Sequence, residues 1–575
     1  MSWPLEDEEA LDLDEIQGHI LIGFGGAPQA LGAYTAADPA AAGRTAGRWS
    51  GVVTTARHLL RRKGRRARDV VGRVGSGPWV ALALSQRVLE AAGRPADLDD
   101  AWFAAPSMAA VGALNDLPAR DGGPRGSDWL VGAPDRPVDV LLVVAAGTAS
   151  AAEEVVGWFT EEAQPWIVGE PFLERLLPIK GSKEHFGFRD GISQPAVLGT
   201  YDGGKLFEEE RPTDDGGAPR TLKAQDLVWP GEFLFGYRGT AAGDPRSPGR
   251  EVRPSDDAAA AFARNGSLLV YRRLGQDVHA FRAFCQRKAE AHANELDGLT
   301  AAALADLIVG RRREGFPLSA RADADARDPA VMNGFDFRHD AMDRACPLGA
   351  HIRKVNPREG DKDKRLRRIL RRGAPFGSEY DDGELAPAQR GRGLAFLAYM
   401  TNTEDQFGLL ATHWMNDPDA PAGGSGVDLL VGQAPPPDAP RVFNLRRHPP
   451  AVEIQAEADE KWVHTTGGAF LFAPSLSALR SLANVETEGD EAMESGPQPE
   501  DLKTALKQYA IYEHPRDYPD GYVVRDWLVT RGGDVLPGDS QRAESLDAAR
   551  ALLPPGATKV SGPDLDDPTI IEVWM

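Results

Sequence analysis

Apolar and polar positions follow two rhythms along this chain, and the same succession of rhythms comes round twice. In the first half, the run VDVLLVVAA (138–146) has the length and composition of a buried strand. SAAEEVVGWFTEEA (150–163) follows at once, with apolar residues at helical spacing. In the second half LAFLAYM (394–400) precedes EDQFGLLATHWM (404–415), again strand then amphipathic helix. Each half holds a further strand of related composition, GEFLFGY (231–237) and GAFLFAP (468–474). Each also has an early strand candidate, GHILIGFG (18–25) and GSLLVYRRL (266–274), the latter running into a helix over 279–296. One such match is chance. The same order met twice predicts a duplicated α+β unit with its join near residue 250.

Segments 202–220 and 240–258 are rich in Gly, Pro and Asp and read as loops, the second as a domain linker. Residues 33–75 are rich in Ala, Gly and Arg and contain the basic run RHLLRRKGRRARD (57–69). A solvated helix or loop accounts for it better than a contact for an acidic partner. After about residue 500 the tail contains GYVVRDWLVTRGG (521–533), ends IIEVWM, and reads as a strand-bearing extension. A structural cap is the first reading of it. A surface for homo-oligomerisation or for docking to a packaging partner is the second.

At 575 residues the chain has room for about two to four domains. A formal net charge of −21 argues against a general nucleic-acid binder, which needs a basic surface. Cys285 and Cys346, the two cysteines, exclude a disulfide scaffold and fit a reducing compartment. The acidic N-terminus lacks the basic-then-apolar pattern of a signal peptide. The longest apolar run, 138–146, is too short to span a bilayer. The expectation is a soluble, cytoplasmic protein with neither membrane nor nucleic acid as partner.

Three stretches carry chemistry. CPLGAHIRKVNPR (346–358) places His351 after Gly349 and Ala350, with Arg353, Lys354 and Arg358 close behind. An imidazole can ligate iron. Small neighbours let a flat macrocycle approach the backbone, and guanidinium groups can pair with acidic substituents on its rim. The pattern suggests a haem site with His351 as axial ligand, against the plainer reading of a surface or core histidine. GFRDGISQP (187–195) sets Asp190 between Gly187 and Gly191, a sharp turn that admits a ligand or an ordinary Asp-Gly turn. LRRGAPFG (370–377) holds Arg371, 20 residues after His351, in the basic cluster KRLRRILRR (364–372). Ile369 and Leu370 suggest that one face of this cluster is buried. Periodicity leaves open whether Arg371 or Arg372 lies on the dry side.

Together these stretches resemble the dye-decolorizing (DyP-type) haem peroxidases. That family carries a Gly-x-x-Asp-Gly motif, matched by Gly187, Asp190 and Gly191. It carries a proximal histidine in a Cys-Pro-x-x-Ala-His stretch, matched by 346–358, and an arginine before Pro-(Phe/Tyr)-Gly, matched by Arg371 with 375–377. Milder similarity lies in IQGHIL (16–21), NGSLLVYRRLGQD (265–277), RGLAFLAYM (392–400) and DLLVGQ (428–433). The likeness runs from about residue 14 to about residue 480; residues 33–75 and the tail have no clear counterpart.

The resemblance implies two tandem ferredoxin-like domains, antiparallel sheets with peripheral helices, enclosing a haem pocket. Residues 1–250 would carry the distal aspartate, 251–500 would bind haem b (iron protoporphyrin IX), and 501–575 would be an extension of unknown role. It implies His351 as iron ligand and Asp428 as the carboxylate behind it. Asp190 and Arg371 would lie on the opposite face, with Leu394 and Phe396 as apolar lining, although ordinary strand core also suits the last two. Arg353 is implied as a further cofactor contact. The implied activity is reduction of hydrogen peroxide through a high-valent iron–oxo intermediate, with phenols, dyes and other small aromatic reductants as one-electron donors. Asp190 would move the proton between the peroxide oxygens; a free aspartate ionises near pH ~3.9, so a carboxylate can serve as base in mild acid. Arg371 would stabilise the charge on the breaking O–O bond. A protein that binds haem for transport or iron release is the competing reading. It needs the axial ligand but no Asp190–Arg371 pair.

Overall fold

Each half of the chain contributes four antiparallel strands laid out in one order, and the two sets close into a ring. The computed structural model describes residues 10–60, 78–114, 116, 125–202, 205–206, 226–242, 244–296, 298–320, 329–340, 343–358, 367–380, 391–432, 441–445, 452–457, 460–483, 506–513, 521–529, 535–555, 557–561 and 570–574. In the first half β1 (Gln29–Tyr34), β2 (Trp79–Leu84), β3 (Val140–Ala145) and β4 (Phe172–Leu176) stand side by side as β2-β3-β1-β4. Helix α1 (Ala149–Ala163) follows β3. The second half opens on β5 (Ser267–Gln276), followed by α2 (Val278–Ala291), α3 (Ala301–Val309) and the short α4 (His351–Val355). Then come β6 (Leu370–Arg371) and β7 (Ala374–Phe376), two pieces of one strand along the same edge of β8 (Gly393–Met400). Helix α5 (Thr403–Trp414) and β9 (Val463–Ala473) complete the set. Counting β6 and β7 as one, both halves have the spatial order second, third, first, fourth. With a helix after the first and third strands, that is the ferredoxin-like arrangement, twice, in an α+β protein. Phe472 opposite Leu84 and Phe376 opposite Leu176 join the two sheets.

β1, β2 and β3 are buried on both faces, which explains why β2 and β3 read as apolar runs rather than alternations, whereas β4 has an exposed face. Leu141 and Val143 of β3 cluster inside the ring with Leu31, Leu269, Leu397 and Leu471. Val140, Leu142 and Val144 cluster outside it with Val155, Phe159 and Trp166. Each such side chain taken from water contributes about 1.5–3 kcal/mol. Side-chain caps start the helices. Thr148 accepts from Ala151 N at 3.2 Å for α1, and Asp277 from Ala280 N at 2.9 Å for α2. Asn402 accepts from Asp405 N at 2.7 Å for α5, which is wound wide, as a π-helix. Such wide turns are rare and gather at functional sites.

Three expectations need correction. The stretch 18–25 is no strand: Gly18–Leu21 is a turn of helix. Ile20, Leu21 and Phe24 join the cluster inside the ring, so the run acts as a plug. Gln17 fixes it, donating to the carbonyls of Leu82 and Pro474 at 2.9 and 2.8 Å. The stretch 231–237 likewise begins with a helical turn, Pro230–Glu232, and buries Phe233 and Leu234 in the same interior. The fourth strand of the first half is β4 instead. Finally, 240–258 is no plain linker, since Tyr237–Ala241 pairs with Asp244–Val252 in a hairpin. Most of the basic run at 57–69 and of the loop at 202–220 lies outside the described residues.

The tail is strand-bearing, as expected. β10 (Leu506–Glu513), β11 (Tyr522–Val529), β12 (Val535–Ala543), β13 (Lys559–Ser561) and β14 (Ile570–Trp574) form a separate sheet ordered β12-β11-β10-β14-β13. Ala510, Tyr512, Val523 and Val573 join the core outside the ring. Ile511, Val524 and Ala543 cluster with Ala549 of the helix Leu546–Ala551. Among the described residues no helix is long and apolar enough to cross a membrane.

Candidate active site

The outer face of the second sheet floors a cavity of about 290 Å³. Arg272 and Leu274 of β5 lie opposite Phe396 and Leu394 of β8, and all four line it. Val309 of α3, His351, Ile352 and Val355 of α4, and Phe407 and Leu410 of α5 form apolar walls around the imidazole. The loop 184–193, Arg371, Arg311 and Arg358 supply much of the polar lining.

His351 begins α4, and its Nδ1 lies 2.7 Å from Asp428 Oδ2. Asp428 is fully buried, and its other oxygen accepts from the backbone N–H groups of Leu430 and Val431 at 2.9 and 3.2 Å. A carboxylate held this way fixes which imidazole nitrogen carries the proton. Nδ1–H donates to Asp428, which leaves Nε2 as the nitrogen with a lone pair for the cavity. Asp428 does not line the cavity itself. The loop bearing it is clamped from below by Lys354, whose Nζ donates to the carbonyls of Asp417, Ala420 and Gly426 at 2.7, 2.6 and 2.7 Å.

Asp190 and Arg371 meet across the same cavity. Arg371 Nη1 donates to Asp190 Oδ1 at 3.2 Å, and Nη2 to the Ser193 carbonyl at 3.3 Å. Gly187 and Gly191 have φ of 98° and 73°, so the turn around Asp190 uses backbone that only glycine adopts freely. Gln194 pairs with the Arg371 backbone in both directions, at 3.0 and 3.2 Å, and so ties the Asp190 loop to β6. Arg372 takes the opposite side. Its guanidinium donates to the carbonyls of His19, Ile20 and Leu21, inside the plug. Strand alternation thus decides between the two arginines.

Residues 275–422 match the model of the Dyp-type peroxidase C-terminal domain. The dye-decolorizing peroxidase msp1 of Mycetinis scorodonius is 30% identical over 438 residues, 71% of this chain and 76% of that protein. The multifunctional dye peroxidase DyP2 of an Amycolatopsis species is 30% identical over 514 residues, 84% of this chain and 98% of its own length. This chain belongs to the dye-decolorizing peroxidase family. The structure of an ancestral D-type dye decolorizing peroxidase superposes with TM-score 0.65 at 26% identity, over 82% of this chain and 99% of that one. That of a decolorizing peroxidase from Auricularia auricula-judae gives 0.64 at 25%, over 82% and 100%.

Dye-decolorizing peroxidases are haem enzymes, and the residues around this cavity fit such a group. Beyond the imidazole, the cavity holds Arg311, a buried guanidinium bonded to the carbonyls of Gly315 and Met332 at 2.7 and 2.9 Å. Among the described residues no carboxylate ion-pairs with it. Burial, reinforced by the charge of Arg371, pushes it down to about 10. A buried cation without counter-charge is costly, and an acidic rim substituent would relieve it. Arg358 also lines the cavity. It bonds Ser193 Oγ at 2.9 Å and the Asn333 carbonyl at 2.7 Å, so it links the histidine stretch to the Asp190 loop.

Other parts of the histidine stretch do different work from that expected in this peroxidase. Arg353 does not line the cavity and is corrected as a cofactor contact. It is fully buried on the far side of α4, where it binds Asp340 Oδ2 at 3.2 Å and the Cys346 carbonyl at 2.6 Å. The reason is helical geometry, since residues two apart on a helix face different ways. Gly349 is small for a backbone neighbour. A Cβ there would lie 2.6 Å from the Ser425 carbonyl oxygen. Glu184, Arg311 and Gln194 were not singled out from sequence. Glu184 stands six residues before Asp190, and only that proximity signalled it.

Proposed function

We propose that the chain is a haem b peroxidase that reduces hydrogen peroxide and oxidises phenolic, dye-like and other small aromatic one-electron donors. The observation that carries this reading is the cavity lined at once by His351, backed by Asp428, and by the Asp190–Arg371 pair. Haem, when bound, supplies the iron at which peroxide is reduced and donors are oxidised. His351 would hold it through Nε2, with Asp428 accepting from Nδ1 and strengthening the imidazole as a donor. Arg311 and Arg358 would pair with its acidic substituents, and Leu394, Phe396, Val309 and Leu410 would pack on its faces. Asp190 would take the proton from one peroxide oxygen and return it to the other, the departing one. Arg371 would lower the energy of the negative charge that grows on that oxygen.

Carriage of haem for transport or iron release needs no acid–base pair, and the presence of Asp190 hydrogen-bonded to Arg371 favours the enzyme. We read the chain as three parts, 1–250, 251–500 and 501–575. The last is best taken as a cap on the fold, ahead of a surface for a second copy or a packaging partner, because among its described side chains one face packs on the outer core and the other on the helix Leu546–Ala551. We read its compartment as the cytoplasm. The test is stopped-flow mixing of the haem-loaded protein with peroxide. Asp190→Asn is expected to slow the first spectral change by about 10²–10⁴-fold, the range of positioned proton transfer. An unchanged rate removes Asp190 from the mechanism.

A further inference from the structure

Glu184 lines the same cavity as Asp190 and has no role in the account so far. Its carboxyl accepts from Phe188 N at 2.9 Å, Phe186 N at 2.9 Å and Gln276 Nε2 at 2.6 Å. Among the described residues none of its hydrogen-bond partners is a cation. A buried carboxyl bound to arginine or lysine is locked in its charged form. One bound to an amide is not, because the amide carries both a donor and an acceptor. Gln276 is buried on β5, and its Oε1 has no partner. Rotation of that amide turns the 2.6 Å contact from N–H donating to the carboxylate into O–H donating to the amide oxygen. The pair is therefore built to accommodate Glu184 in either protonation state.

The loop brings the two acids together. Glu184 N bonds the Phe188 carbonyl at 2.9 Å, and Asp190 N bonds the Ser182 carbonyl at 2.8 Å, so the segment doubles back with both side chains at the cavity. Charged or titratable groups near Glu184 include Lys183, His185, Arg189 and Asp190 on its own loop, and Arg392 and Glu379, which act on His185. Arg313 reaches Gly187 from the neighbouring segment, and Arg272 and Asp277 come from β5 and its end. Arg272 is engaged by Asp116, and Asp277 caps α2. Desolvation pushes the Glu184 carboxyl up to about 7, and the charge of Asp190 acts in the same direction.

We infer that Glu184 is a proton-relay residue, which stores a proton at the cavity wall and passes it toward Asp190 during turnover. This rests on the peroxidase reading. Reduction of peroxide to two waters consumes two protons and two electrons. The aromatic donor supplies the electrons, and when it reacts outside the cavity its protons are released there. In the relay the O–H bond of Glu184 breaks and an O–H bond forms on the Asp190 carboxylate. Glu184, which is half-buried, then regains a proton from solvent.

The test uses the haem-loaded protein and two readouts. Infrared difference spectra across pH should show a protonated carboxyl band that titrates near 7 and is missing in Glu184→Gln. Steady-state turnover with peroxide and a phenol should fall by about a hundredfold in that variant, the low end of positioned proton transfer. Its inflection near 7 should vanish. Gln276→Met, which removes the amide, should move the infrared midpoint upward. A band unchanged by Glu184→Gln, or a turnover profile that keeps its inflection, overturns the relay. The infrared titration does not depend on turnover, so a protein inert to peroxide would refute the peroxidase reading while leaving this band to be scored.

Discussion

Arg371 and Arg372 are adjacent, equally charged, and opposite in what they hold. Arg371→Leu is expected to slow the reaction with peroxide in stopped flow and leave the melting temperature near that of the parent. Arg372→Leu strands the carbonyls of His19, Ile20 and Leu21 in the plug, and buried acceptors without donors cost about 1–3 kcal/mol each. That variant should melt earlier. Glu184 leaves a signature in stability as well as rate. Its folded value of about 7 lies above the ordinary glutamate value. The folded state therefore binds more protons than the unfolded one between those values, and the contribution of this residue to stability falls as pH rises through that window. Thermal melts at acid and mildly alkaline pH should show Glu184→Gln gaining on the parent as pH rises. At this scale the motifs were legible: His351, Asp190 and Arg371 all reach one cavity. Arg353 was misplaced because a sequence motif gives spacing along the chain, whereas the direction of a side chain from a short helix depends on what packs behind it.

Elements were legible where they were long and apolar. The runs at 138–146, 394–400 and 266–274 are β3, β8 and β5, and the helices after them stand where periodicity put them. β1 escaped notice because QALGAY has no β-branched residue and half of it is Ala or Gly; β3 and β4 flank it and hold it as a strand. The apolar runs at 18–25 and 231–237 have strand composition, but they fill the ring as plug rather than wall, an outcome that pattern alone does not separate. The loop from Asp417 to Gly432 matters most for the site, because Asp428 sits on it. Lys354→Met would leave the carbonyls of Asp417, Ala420 and Gly426 without their donor, the last of them buried, a loss of about 1–3 kcal/mol in denaturant melts. With the loop loosened, the haem-loaded variant should also show a shifted iron–histidine stretching band in resonance Raman spectra. A band that stays in place would detach Lys354 from the positioning of Asp428.

The whole molecule is a ring of two ferredoxin-like sheets with its cavity on one outer face and a third sheet against the outer core. A chain ending at Ala483 would lose the contacts of Tyr512, Val523 and Val573 with that core. About 5 kcal/mol of stability should go with them, at roughly 1.5–3 kcal/mol for each large side chain. A truncated chain that melts like the full one would show that the tail serves something other than the fold. The duplication was legible in one place only, the third strand and its helix, 138–163 against 394–415, since the other first-half runs paired with it are plug. The closure of the two sheets was not, since it rests on single residue pairs at Phe472–Leu84 and Phe376–Leu176, far apart in sequence. The most direct test of the site as a whole is the absorption spectrum of the protein titrated with haem and then with peroxide, beside His351→Ala. The parent should develop a saturable Soret band that shifts when peroxide is added, and His351→Ala should lose the band or its response. A parent with no band, or a variant that binds haem and answers peroxide as the parent does, would contradict His351 as the residue that holds the iron.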